Sequence, residues 1–229
     1  PDIATALSEL GVLYRDAGQY EKAEEALRRA LGIRDKLYGR LHTDVATSLS
    51  DLALLYMARE EYDKALSVAA QALRIRKMAL HENHPHVAAD LNNLGWIYKA
   101  QGRYQLAERS FLKALAIDEK AKGENHPDVA VDLSNLASLY EEQGRNQERG
   151  RLLERIRQIR LQSLDEHSAL NMETLDELAK FYYFEEQYEK AYPLLQQQLE
   201  YREQRCGNKD PVVASSLNNL ALLEKARGR

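Results

Sequence analysis

PHVAADLNNLGWIYKAQGRYQLAERSFLKALAIDEKAKGENH, residues 85–126, decides the fold. Within it Leu91, Leu94, Gly95 and Tyr98 recur at the i, i+3, i+4, i+7 steps of one helical face. Gly102 interrupts the run. Tyr104, Ala107, Phe111, Ala114 and Leu115 then form a second stripe of the same period. The pattern is a helical hairpin, helix A followed by helix B, each dry on one side only. A single hairpin of this kind cannot bury both stripes and needs neighbours.

Those neighbours are copies of it. The leucine that opens the helix A stripe stands at Leu7, Leu49, Leu91, Leu133, Leu175 and Leu217, always 42 residues after the last. Leu10, Leu52, Leu94, Leu136, Leu178 and Leu220 follow, and then a small residue: Gly11, Ala53, Gly95, Ala137, Ala179, Ala221. The aromatic position carries Tyr14, Tyr56, Tyr98, Tyr140 and Tyr182, until Glu224 breaks the series. No insertion or deletion disturbs the spacing. The chain divides into repeats 1–42, 43–84, 85–126, 127–168 and 169–210, with a partial sixth at 211–229. It reads as one array and as a piece of a longer protein.

Local chemistry sets the boundaries. Pro85, Pro127 and Pro211 suit the first turn of helix A, where a missing N–H does no harm. Gly18, Gly102, Gly144 and Gly228 suit its end, where φ turns positive. Glu60 and Glu186 occupy that site in two repeats, so those turns are expected to differ in shape. Repeat four departs most, with Asn146, Arg149 and Gly150 where the other B helices open with a tyrosine and a small alanine. Arginine does not fit where alanine allows close packing, so the helix must rotate, shift or send the Arg149 guanidinium outward along its stem, and a local irregularity is expected near 146–151. Leu217, Leu220 and Leu223 are expected to lie uncovered on the last helix, which offers a route to homo-oligomers.

The order of small residue, tyrosine, alanine and leucine resembles the tetratricopeptide repeat. The 42-residue unit and the phrases LNNLGWIY, LNNLALL, HPDVA and KALAID resemble its kinesin light chain type. That resemblance covers essentially the whole chain. It implies an all-α TPR-like α-solenoid, a right-handed superhelix whose A helices line a concave groove. It also implies a protein-interaction scaffold that binds a peptide or protein segment there.

Groove positions are those on helix A that face away from helix B. The candidates are Asn92, Asn93, Trp96 and Lys99 in repeat three, and Asn135 and Glu141 in repeat four. Repeat five adds Asp176, Glu177, Lys180, Tyr183 and Phe184. Asparagine both donates to and accepts from a peptide backbone without reading its sequence. Aromatic residues supply anchors. Trp96, the only tryptophan, reads either as such an anchor or as packing against an adjacent helix A. Tyr183 and Phe184 read either as ligand contacts or as contacts to the next repeat. The acidic end, Glu141, Glu142, Glu173, Asp176 and Glu177, suits a ligand with apolar anchors and a basic segment. It argues against the acidic cargo peptides of kinesin light chains. Carboxylate-clamp repeats carry asparagine where this chain has Val12, Leu54, Trp96, Ser138 and Lys180, so acidic C-termini are disfavoured too.

Other function classes find little support. A formal net charge of −4 gives no bulk attraction to nucleic acid or to an anionic membrane. The arginines of repeat four, Arg145 to Arg160, are interleaved with Glu148 and Glu154, which favours solvated or internal pairing over an RNA-binding ridge. No apolar run is long enough to span a membrane. The single Cys206 has no histidine beside it to activate it and fits a reducing, cytoplasmic setting. His81, Glu82, His84 and His86 share a loop, but GENHPD and GRLHTD fill the same loop elsewhere with one histidine each. A solvated loop is the expectation there, with no metal, no cofactor and no enzyme. The alternative to a scaffold is a regulatory or sensor arm of a larger signalling protein whose NTPase or protease effector lies outside these residues.

Overall fold

The computed structural model describes residues 2–163, 169–207 and 210–228. Among them every regular element is an α-helix. The A helices are α1 (Asp2–Asp16), α3 (Thr43–Ala58), α5 (Pro85–Ala100), α7 (Pro127–Glu142), α9 (Ala169–Phe184) and α11 (Pro211–Ala226). The B helices are α2 (Tyr20–Tyr38), α4 (Tyr62–Leu80), α6 (Tyr104–Lys122), α8 (Asn146–Ser163) and α10 (Tyr188–Cys206). The architecture is all-α, built of TPR-like helical hairpins. The helices gather into two compact units, Pro1–Glu124 and Asn125–Arg229. Within each unit every helix packs on the next in sequence, and in the first unit α3 also touches α1 and α5.

Each hairpin closes by matching a small residue on helix A to a large one on helix B. A Cβ on Gly95 would lie 2.4 Å from the Phe111 ring, and one on Gly11 would lie 2.6 Å from Leu27. Both large side chains are fully buried. The glycines are therefore demanded by close packing, because a methyl there would overlap its neighbour.

The loops are capped by a device that the solvated-loop reading overlooked. His42, His84 and His126 stand just before α3, α5 and α7, and each Nδ1 accepts the N–H two residues on, at 3.1 to 3.2 Å. Asp210 does the same for α11 at 2.8 Å. His84 is thereby a helix cap, and His81 and His86 pack beside it as aromatic neighbours.

Three expectations are corrected. The Glu60 and Glu186 turns are not different: both residues adopt positive φ, 59° and 57°, as Gly18 does at 72°. The hydrogen bonds match as well. Glu60 N–H donates to the Met57 carbonyl and Glu61 N–H to Tyr56, as Gly18 does to Arg15 and Gln19 to Tyr14. Helix packing fixes the turn, and the two glutamates accept the left-handed strain that glycine avoids.

Repeat four has no break near 146–151 either. Helix α8 starts at Asn146, in register with Tyr104, and runs unbroken. Arg149 turns its guanidinium aside to Glu141 at 3.1 Å. Gly150 takes over the tight contact, its missing Cβ leaving room for the Phe181 ring. On α11, Leu217 is 49 % exposed, but Leu223 is fully buried. Leu223 holds the register of Leu55 and Leu139, which are also fully buried. Leu13, at the same register of α1, is 65 % exposed.

Candidate interaction face

The six leucines that open the repeats give the site its frame. Leu49, Leu91, Leu133 and Leu175 are buried, whereas Leu7 is half-buried and Leu217 exposed. With the interior leucines of helix A turned inward, the opposite stripe is half-buried to exposed on α1, α3, α5 and α9, whereas α7 buries Asn135 there. In the first unit that stripe carries half-buried Val12, Asp51, Asn93 and Trp96, with Leu54 at 37 % exposure. In the second it carries Glu177, Lys180 and Phe184, all exposed.

Below the stripe lie buried and half-buried polar pairs that the sequence reading did not single out. Helix B has arginine at 34, 76, 160 and 202, each 42 residues or a multiple apart. Arg34 donates to Ser8 at 2.9 Å and to Ser48 at 2.6 Å. Arg202 donates to Ser216 at 2.6 Å, and Arg160 donates to Thr174. The strongest member is Arg76, which pairs with the buried Asp90 carboxylate and reaches Thr47 at 3.1 Å. Ser50 adds a hydroxyl to Asp90 at 2.8 Å. Burial pushes the Asp90 carboxyl up to about 6, against the lowering pull of Arg76 and Ser50. Asp118 replaces the arginine in repeat three and pairs with Lys122 at 3.0 Å. The arginine pairs hold α2, α4, α8 and α10 against the helix A that follows each, whereas the Asp118–Lys122 pair lies within α6. The 42-residue arginine register was the available signal.

The candidates of the sequence reading are distributed unevenly. Asn92 and Asn93 are half-buried. Trp96 is half-buried, and its ring meets Phe111 edge-on at 5.8 Å. It therefore packs on helix B of its own repeat, which neither earlier reading foresaw. Lys99 and Asn135 are corrected: both are buried, and the Lys99 ammonium lies 4.7 Å from the Trp96 ring centre. The ring face attracts that ammonium electrostatically.

In the second unit, exposed Glu141 is held by Arg149, and Asp176 is bound by Lys180 one turn on. Desolvation lifts the Glu177 carboxyl above its usual range, with Glu141 and Glu173 adding to the rise and Arg149 and Arg160 opposing it. Its side chain remains exposed, so solvent screens the effect. The acidic end is thus partly neutralised from within.

Tyr183 and Phe184 are 37 % and 77 % exposed and meet edge-on at 5.8 Å. Tyr183 also lies 5.7 Å from Tyr188, across the turn of its own hairpin. The three rings form an aromatic cluster at the turn from α9 to α10, exposed at Tyr183 and Phe184 and half-buried at Tyr188. Among the described residues no group of three His, Cys, Asp or Glu side chains could hold a metal ion, and no helix is long and apolar enough to cross a membrane.

Comparison with known proteins fits this geometry. The tetratricopeptide repeat family model matches residues 2–78, 50–120 and 88–162. No curated protein matches the sequence. A Podospora anserina protein assigned as a kinesin light chain, with nearly identical TPR-like repeats, is 28 % identical, with 87 % of this chain and 94 % of that one covered and a TM-score of 0.73. BtubC (BKLC) from P. vanneervenii is 24 % identical over 97 % of this chain and 80 % of its own, with a TM-score of 0.68. A signal transduction ATPase with a tetratricopeptide repeat sensor, from Pyrococcus horikoshii, is 18 % identical over 98 % of this chain and 33 % of its own, at a TM-score of 0.75. The last two likenesses concern the fold alone. The chain belongs to the tetratricopeptide repeat family, and its repeats are of the kinesin light chain type.

Proposed function

We propose that this repeat scaffold binds a peptide or protein segment on the outward stripes of its A helices. The observation that supports the reading is the exposure of apolar and aromatic side chains there, Leu54 at 37 % and Phe184 at 77 %. A monomer gains nothing by holding such groups in water, and grouped aromatic residues supply interface anchors. The kinesin light chain likeness supports the same reading. Each unit offers its own contacts: in the first, Leu54 and Trp96 suit apolar side chains of a ligand, and in the second, Tyr183 and Phe184 suit an apolar side chain and Glu177 a lysine or arginine. Asp176 and Glu141, already paired, contribute less. The scaffold acts by shape and contact, without a catalytic step.

Selection from a displayed random-peptide library tests this. Sequences combining apolar residues with Lys or Arg should be enriched on the wild type and lost on a Trp96→Ala, Tyr183→Ala double variant. Enrichment that survives in the variant, or that selects acidic sequences, overturns the reading. The sensor-arm alternative draws on the likeness to the ATPase sensor, which at 18 % identity concerns fold. A catalytic or nucleotide-binding domain adjoining these residues in the gene would favour it.

A further inference from the structure

Helix B carries Leu31, Leu73, Leu115 and Leu199 at one register of the 42-residue repeat, and α8 carries Arg157 there. A leucine at this place packs between neighbouring helices. An arginine brings a charge that cannot be lost and five N–H donors to the same spot. Its Nε is buried and has no hydrogen-bond partner. The guanidinium makes no ion pair with any described residue. A buried, unpaired donor on a cation costs more than an ordinary lost hydrogen bond. Such a group in a native fold asks for a partner.

The structure provides room for one. Arg157 lines a cleft of about 480 Å³ between α8, α9 and α10, within the size range of small-molecule sites. Leu178, Pro193 and Leu194 give it an apolar wall. Lys190 stands at its edge, 5.1 Å from the Tyr182 ring centre, and forms no ion pair either. The two carboxylates of the cleft are already engaged. Glu154 accepts from the Tyr182 hydroxyl, and Glu189 is held by Arg227 at 2.7 Å. Glu154 keeps its negative charge, and the donors left for a ligand are the Arg157 guanidinium and the Lys190 ammonium above an apolar wall.

We propose that this cleft binds a small monocarboxylate with an apolar body. Its carboxylate would take the Arg157 fork, with Lys190 beside it, and its hydrocarbon or ring would lie on Leu178 and Leu194. Guanidinium and carboxylate match in geometry as two parallel hydrogen bonds. A phosphate dianion fits less well, because Glu154 and Glu189 stand close by and repel a second charge. The site is separate from the A-helix stripes, so it can succeed or fail independently of the peptide reading.

Arginine Nε–H resonances observed by NMR on the whole chain test it directly. The probes are benzoate, hexanoate, inorganic phosphate and hexylammonium at matched ionic strength. Benzoate and hexanoate should shift the Arg157 Nε–H signal saturably in the millimolar range, phosphate should bind at least tenfold more weakly, and hexylammonium should do nothing. Arg157→Leu restores the residue of the other repeats, so it should fold at least as well and lose the amide shifts of α8 and α10. Arg157→Lys keeps the charge without the fork and should weaken binding about fivefold or more. Absence of a saturable shift, equal binding of phosphate, or amide shifts that persist in Arg157→Leu would each overturn the proposal.

Discussion

Removing the Asp90 carboxylate should injure the first unit more than any surface change. Asp90 is 1 % exposed and Arg76 is 7 % exposed. Asp90→Ala leaves the guanidinium with only hydroxyl partners, Ser50 at 3.3 Å and Thr47 at 3.1 Å. Breaking a buried ion pair from one side costs about 3–5 kcal/mol. With a urea slope of about 2–3 kcal/mol per molar, that lowers the unfolding midpoint by roughly 1–2 M.

Removing both charges, in Arg76→Met with Asp90→Leu, should return the midpoint to near that of the wild type or above it. Hydrophobic replacements escape the desolvation penalty that the pair bears. The assay is urea unfolding at pH 7.5, read by fluorescence. Trp96 is the only tryptophan and shares helix α5 with Asp90, so it reports the affected place. A loss below about 1 kcal/mol in Asp90→Ala, or a double variant as weak as the single one, would show that the pair does not lock α4 to α5.

The same carboxylate gives a pH signature. Its folded pKa, raised to about 6 from 3.8, means that the folded state binds the proton more tightly than the unfolded chain. The Asp90 contribution is therefore full below about pH 4 and lost as pH rises through 6, by roughly 3 kcal/mol in all. The wild-type minus Asp90→Asn stability difference should fall across that window, and a flat or rising difference contradicts it. Gly95→Ala should destabilise by about 1–3 kcal/mol through overlap with Phe111, less the helix-propensity gain of up to about 1 kcal/mol. Thermal melts of Phe111→Leu and of the pair should show the overlap relieved, and an additive result would refute the contact. Glu60→Gly should raise stability by roughly 1 kcal/mol by removing left-handed strain. An unchanged or lower urea midpoint would mean that the turn carries none.

Fold and site were legible to different depths, for one physical reason. Leucine, glycine and tyrosine at fixed spacing report helix faces, because water sorts apolar side chains by side. The helices and their starts at Pro85, Pro127 and Pro211 were therefore readable. Arg34, Arg76 and Asp90 were not, since a charged residue on an amphipathic helix normally marks its wet side. Their burial depends on partners 14 residues or more away, such as Ser48 and Asp90. Lys99 and Asn135 misled in the same way. Their registers are open in some repeats and closed in others, according to what the neighbouring helix presents. Glu60 and Glu186 show that tertiary packing can impose a turn against residue preference.

The central claim is that the outward stripes of the A helices are the working surface. Fluorescence anisotropy with one selected peptide tests it most directly, through residues of matched exposure. Leu54 on α3 is 37 % exposed and Leu112 on α6 is 45 % exposed. Leu54→Asp combined with Phe184→Asp should weaken binding at least tenfold, and Leu112→Asp should leave it within twofold of the wild type. Loss of binding through Leu112→Asp, with the A-helix variant unaffected, would place the working surface on the B helices and contradict the account.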